Sequence, residues 1–218
     1  RYTLKEITFI LARANQALHT LERYKTALTK SLETLNVLEL EELVTLDDVA
    51  GVLIKAERVA RIAEEISQNI IELGSEGRLV SMQMEEIMPD NIGIRDLIQD
   101  YCVDAAAKTR EAVMEQLRAL PEEGLDHYTV GRLLGYGVTP STLDIPVIPR
   151  GFRILRQIPR LPNLVVDNIV AHFKTINRIY RATPAELDEV EGVGGIRARA
   201  IREGIKRLRE QTIFETSG

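Results

Sequence analysis

The residues best suited to chemistry lie near the C-terminus, in the stretch VEGVGGIRARAIREGIKRLR from Val190 to Arg209. Three glycines, Gly192, Gly194 and Gly195, surround Val193 and run directly into a helix-patterned, arginine-rich segment. Glycine adopts positive φ at little cost and lets a backbone approach another molecule with no side chain in between. A helix that begins here leaves the amides of Gly194 and Gly195 at its N-terminus. Unpaired N–H groups and the helix dipole favour an anion at that point. Arg197 and Arg199 fall in the first turn, and Arg202 about one turn later. Together Gly192, Val193, Gly194, Gly195, Arg197, Arg199 and Arg202 read as a phosphate cradle. None of them reads a base edge, so a nucleic acid held there would be held without regard to sequence. The alternative is a tight turn between packed helices whose arginines face only water.

Other chemistry is weakly represented. His19, His127 and His172 share no ligand spacing with one another or with Cys102, which argues against zinc. The acidic pairs Asp47-Asp48, Glu64-Glu65, Glu85-Glu86 and Glu122-Glu123 could hold magnesium in a nuclease. Neighbours on a helix point to different faces, however, so solvated helix surfaces are the better reading. No Gly-Lys-Ser/Thr occurs, which excludes a P-loop. Ser75-Glu76-Gly77-Arg78 resembles a short anion turn but reads better as a helix connection. No catalytic residue, metal site or cofactor is expected.

The cradle requires two helices. Pro184 to Val190 makes the first, with Thr183 as N-cap and Pro184 at the first helical position. Ile196 to Leu208 makes the second, with Ala198, Ile201, Ile205 and Leu208 on its buried side and Val193 plugging the angle between the two. Upstream, Ile158-Pro159-Arg160-Leu161-Pro162-Asn163 precedes an apolar helix carrying Val165, Val166, Ile169, Val170 and Phe173. It stands where a first, degenerate turn would lie. Pro162 has no amide to offer an anion, so that turn suits packing, while Arg160, Asn163, Lys174 and, further on, Lys206 are secondary candidates for phosphate contact.

The rest of the chain is patterned for helices. Leu4, Ile7, Leu11, Ala14, Leu18, Leu21, Leu28, Leu32 and Leu35 step by three and four, broken only at Lys25, and predict one helix of about 35 residues. Thr45-Leu46-Asp47-Asp48 resembles a capping box before a second helix that ends near Gly74. Further helices are expected over 75–88 (stopped by Pro89-Asp90-Asn91), 94–101, 105–120, 127–136 and, short and basic, 150–158. The expected class is all-α: a helical bundle with a long spine helix over 1–137, a proline-containing linker over 138–149, and a small basic domain over 150–218.

Composition agrees with this division. The chain has 218 residues, 44% hydrophobic and 28% charged, with no tryptophan and only 5% aromatics. Residues 150–218 carry 13 Lys+Arg against 8 Asp+Glu, whereas residues 1–149 carry 15 against 25. A basic unit on an acidic body directs a polyanion to the basic part alone. No apolar run reaches the ~20 residues of a membrane span. A single cysteine suits a reducing cytoplasm, and a start at Arg1 without Met reads as a piece of a longer protein.

Val190, Gly192, Val193 and Gly194, followed by Ala198 and Ile201, resemble the helix-hairpin-helix motif of DNA repair proteins. Such motifs come in pairs, which makes 150–218 a tandem unit. The resemblance extends along the whole chain. ANQALHTLERYKTAL (14–28), LELEELVTLDDV (38–49), ELGSEGRL (72–79), RLLGYG (132–137) and PRGFRILRQIPRLP (149–162) resemble the DisA family of bacterial DNA integrity scanning proteins. The resemblance implies an N-terminal diadenylate cyclase domain that makes cyclic di-AMP from two ATP. It further implies a helical spine, a C-terminal helix-hairpin-helix domain that prefers branched DNA, an octamer, cyclase activity damped by DNA junctions, and a cytoplasmic, nucleoid-associated protein. The family's Asp-Gly-Ala and Arg-His-Arg motifs do not occur here. The expectation for this stretch is therefore DNA binding without cyclase activity, with ATP and Mg or Mn belonging to the cyclase domain. The targeting tail of a repair nuclease and a purely structural oligomerisation bundle are the other readings.

Overall fold

A computed structural model describes residues 2–88 and 93–217, and most of these are helical. The order is α1 (Leu4–Glu41), α2 (Leu46–Leu73), α3 (Arg78–Ile87), α4 (Ile94–Tyr101), α5 (Ala107–Ala119), α6 (His127–Leu133), α7 (Phe152–Leu155), α8 (Asn163–Phe173), α9 (Ile176–Arg181), α10 (Pro184–Asp188) and α11 (Gly194–Thr216). Among the described residues there is no strand, only an isolated antiparallel bridge between Thr45 and Pro146. No helix among the described residues is long and apolar enough to cross a membrane. The fold is all-α with a long N-terminal helix. The stop expected at Pro89-Asp90-Asn91 lies outside the described residues.

The chain forms two compact units. The first takes Arg1–Leu32 and Val52–Ile92, the second Glu33–Gly51 and Gly93–Gly218, so α1 and α2 each contribute to both. In the first unit Ala14, Ala17, Leu18, Leu21 and Leu28 of α1 are buried, as are Leu53, Ala56, Val59, Ala63 and Ile66 of α2. Arg13 bonds Asn69 and Ser31 bonds Lys55. As numbers rise along α1 the partners fall along α2, so the helices run antiparallel. Alanines on both faces let them approach closely. The heptad-like stripe predicted the right helix but not every buried position. Leu4 is exposed and Ile10 is buried, because a straight helix drifts relative to a seven-residue repeat.

In the second unit, the Thr45–Asp48 capping box forms as expected, each residue's side chain accepting from the other's backbone N–H. Residues 138–149 carry no helix and lie along residues 44–47: Leu46 N–H donates to Ile145 O, Asp47 N–H to Leu143 O and Val147 N–H to Val44 O. The core beyond Pro149 is one apolar cluster running from Phe152 to Ile205. Within it α7 is only four residues long. Arg150 lies outside the helix expected over 150–158, and Arg153, in α7, is buried. The short helix α9 was not anticipated.

Candidate nucleic-acid interface

Residues 152–216 repeat a single plan. The first copy is α7, a turn through 156–162, and α8. The second is α10, a turn through 189–193, and α11. Superposing the sequences at an offset of 32 residues pairs Ile158 with Val190, Leu161 with Val193, Val166 with Ala198, Ile169 with Ile201 and Phe173 with Ile205, all buried or partly buried. The same offset pairs two prominently exposed aliphatics, Leu164 at 70% and Ile196 at 82%. Buried and exposed positions thus recur in one register, and α9 is the connector between the copies.

The two turns share a backbone feature that their sequences conceal. Arg160 has φ 60° and its counterpart Gly192 has φ 84°. Both are in the left-handed region, which costs a non-glycine residue about 1–2 kcal/mol. The next pair diverges. Gly194 is left-handed at φ 57°, whereas Pro162 is extended at φ −62°. The second turn therefore opens more of its backbone: a Cβ added at Gly194 or Gly195 would have no neighbouring heavy atom within 4 Å.

α11 starts at Gly194 with Val193 as N-cap, and no side chain caps it. Val193 is buried in the angle as expected, and Ala198, Ile201 and Ile205 face the core with Leu208 packed against it. α10 is held by a full capping box, in which Thr183 Oγ1 accepts from Glu186 N–H and the Glu186 carboxylate accepts from Thr183 N–H. This fixes the chain entering the turn and leaves the N-terminus of α11 without a protein acceptor.

The candidate arginines lie close to the turn. Arg197 reaches back to Gly192 O at 2.6 Å, and Arg199 Nε lies 3.5 Å from Gly195 O. Both are exposed. Arg202 donates to Tyr180 O at 3.2 Å and Ala182 O at 2.6 Å, closing the C-terminal end of α9. Its guanidinium thus has a structural task that the sequence did not suggest. Lys206 is exposed beside Glu210. Arg160, Asn163 and Lys174 are exposed around α8, with Asn163 as its first residue and Lys174 in the left-handed region at φ 70°. Gly192, Val193, Gly194, Gly195, Arg197 and Arg199 are therefore brought together, and Arg160, Asn163 and Lys174 belong to the other copy of the plan.

The most consequential group that sequence reasoning missed is buried where the first copy begins. Asp100, at the end of α4, accepts from the backbone N–H groups of Gly151 (3.0 Å), Phe152 (2.7 Å) and Arg153 (3.2 Å) and so caps α7. Glu39 accepts from Tyr101 Oη and from Arg153 Nη2, each at 2.5 Å, and Arg153 Nη1 donates to Asn36. Burial, and secondarily the Glu39 carboxylate, push Asp100 from 3.8 up to about 7. Only the basic spacing around Arg150, Arg153 and Arg156 was visible beforehand. Nothing local marks Glu39 as the partner of a residue 114 positions away. Among the described residues, no group of three or more His, Cys, Asp or Glu is placed to hold a metal ion.

These features define an all-α protein whose long N-terminal helix precedes a C-terminal unit with two equivalent helical turns. The chain belongs to the DisA family: residues 4–143 match the family described as the DisA bacterial checkpoint controller linker region. It is 48% identical over 217 residues to a DNA integrity scanning protein DisA of Carboxydothermus hydrogenoformans, covering 98% of this chain and 61% of that protein. It is 46% identical over 213 residues to the DisA of Bacillus subtilis, covering 97% and 59%. For the DisA of Streptomyces coelicolor the identity is 44% over 220 residues, covering 99% and 59%. The chain thus spans about 60% of the length of the curated relatives it matches.

Proposed function

We propose that residues 150–217 are a tandem helix-hairpin-helix unit that binds DNA by its phosphates, as the DNA-reading part of a DNA integrity scanning protein. The observation that carries this reading is the uncapped N-terminus of α11 behind the left-handed Gly192 and Gly194, open at Gly194 and Gly195, with Arg197 and Arg199 beside it. Backbone amides and a helix dipole there suit one phosphate, and the flanking guanidiniums add charge-assisted hydrogen bonds. The contact set reads no base, so binding is independent of sequence. The second turn is the principal contact. The first, with Pro162 in place of Gly194, contributes through Arg160, Asn163 and Lys174.

In the whole protein this unit is the sensor. Branched DNA is the preferred partner, a homo-octamer supplies several copies to one junction, and occupancy damps cyclic di-AMP synthesis from ATP. Those properties, and an assignment to the cytoplasm at the nucleoid, rest on the family resemblance. The chain described here is assigned no catalytic step and no cofactor.

The test is fluorescence anisotropy of this chain with a labelled four-way junction and a labelled duplex across a salt series. The expected result is junction-favouring binding that weakens with salt, abolished by Gly195→Asp with unchanged melting. Gly195 is suited to this because its φ is ordinary and its would-be Cβ is unobstructed, so a carboxylate there repels phosphate without unfolding the turn. Normal binding by Gly195→Asp would refute the cradle.

A further inference from the structure

Not all cations of the second unit gather at the glycine turn. A groove of about 780 Å³ runs along α8 from Asn163 to Lys174, walled by α4, α5, α7 and α8. Arg95, Arg110, Arg150, Arg156 and Lys174 line it, against one acidic side chain, Asp167. Their pairing leaves an excess of positive charge. Arg95 and Arg110 share a single carboxylate, Glu111. Arg156 is matched by Asp96 and lies 5.5 Å over the Phe152 ring. Arg150 gives its hydrogens to four main-chain carbonyls, those of Gln99, Asp100, Cys102 and Val103. Carbonyl dipoles hold a guanidinium in place without cancelling its charge. Lys174 is exposed and has no carboxylate in ion-pair range among the described residues. Low-dielectric walls around such a set concentrate its field in the groove.

Size and lining identify the kind of occupant. A groove this large exceeds the ~30 Å³ of a water many times over. Small-molecule sites of comparable volume are mostly apolar and aromatic, whereas here the single aromatic, Phe152, is covered by Arg156. Asn163, the first residue of α8, reaches one edge of the groove, and α8 has no side-chain cap. We infer that this groove holds the sugar-phosphate backbone of a nucleic-acid strand, extending the phosphate track beyond the two turns. The inference rests on the DNA-binding reading above and adds to it a contact surface built by α4 and α5 outside the repeated plan.

The experiment is the same anisotropy salt series on Arg95→Glu/Arg110→Glu, two groove cations of α4 and α5 that belong to neither turn. Arg78→Glu/Arg118→Glu serves as the charge-matched control, because both arginines are exposed and lie outside the groove and the turns. The groove variant is expected to bind at least about tenfold more weakly at low salt, with the slope of log K against log salt shallower by about two. The control is expected to stay within about threefold of the parent chain. Binding by the groove variant indistinguishable from the control overturns the inference, and if Gly195→Asp still abolishes binding the reading of the turn survives it. Absence of binding by the parent chain overturns both. Should the double variant fold poorly, Arg95→Gln, at an exposed position of the groove, is expected to reduce the slope by about one; an unchanged slope overturns the inference equally.

Discussion

Asp100 and Arg153 show how single residues join the two halves of the second unit. Each lies in the interior, and each has its partner on a distant part of the chain. Removing one member of a buried ion pair typically costs about 3–5 kcal/mol, because the other charge is left unpaired. Glu39→Gln should therefore lower the unfolding free energy by that order, read as a lower denaturant midpoint, and Glu39→Met/Arg153→Met should recover most of the loss. Asp100 makes a pH prediction. Its folded pKa of about 7 exceeds the usual 3.8, so the folded state holds a proton more tightly than the unfolded chain does. The associated stability is fully present below about pH 4 and is lost as pH rises through about 7. Asp100→Asn should flatten that slope in melts recorded between pH 4 and 8, whereas a slope equal to that of the parent chain would place the titration elsewhere.

At the scale of elements, short helices in the last sixty residues depend on caps and close contacts more than on their own propensity. α10 has five residues, too few to persist on helix propensity alone, and its capping box helps hold it. Thr183→Ala should cost about 1 kcal/mol and weaken DNA binding further by loosening the entry to the glycine turn, which thermal melts and anisotropy would read together. α11 approaches the first turn at Gly204, where an added methyl would lie 3.0 Å from Ile158 Cγ1. Gly204→Leu should destabilise the unit by roughly 1–3 kcal/mol through overpacking, even though leucine is the better helix former. An unchanged midpoint in urea would show that Ile158 can move aside.

At the scale of the molecule, charge is partitioned along the chain, and on the proposed function this governs how DNA is met. Residues 1–149 carry a net negative charge and 150–218 a net positive one, so the field of the acidic part as a whole opposes a polyanion outside the basic groove and turns. Binding by one chain should accordingly be weak and strongly salt-dependent, with several copies on one branched DNA supplying avidity. Joining two copies of residues 1–218 through a flexible linker should strengthen binding to a four-way junction by more than tenfold, and to a short duplex by far less. Equal gains on both would mean that the second copy adds only charge.

The sequence alone determined the local features of this protein. Apolar periodicity specified α1 and α2. Thr45, Asp48, Thr183 and Pro184 marked helix starts, and the glycines of the second turn exposed its backbone. Each depends on neighbours a few residues apart, where spacing is geometry. The collinear stretches also pointed to the DisA family, which the family match over residues 4–143 bears out. Only the tertiary structure decided that Arg160 takes the left-handed conformation of a glycine, that Arg202 closes the end of α9, and that Asp100 caps α7 from across the fold. It alone also collected Arg95, Arg110, Arg150 and Lys174 around one groove. These outcomes depend on segments tens of residues apart meeting in a shared core. The free energy of burying that core selects the partners, and no local pattern encodes them.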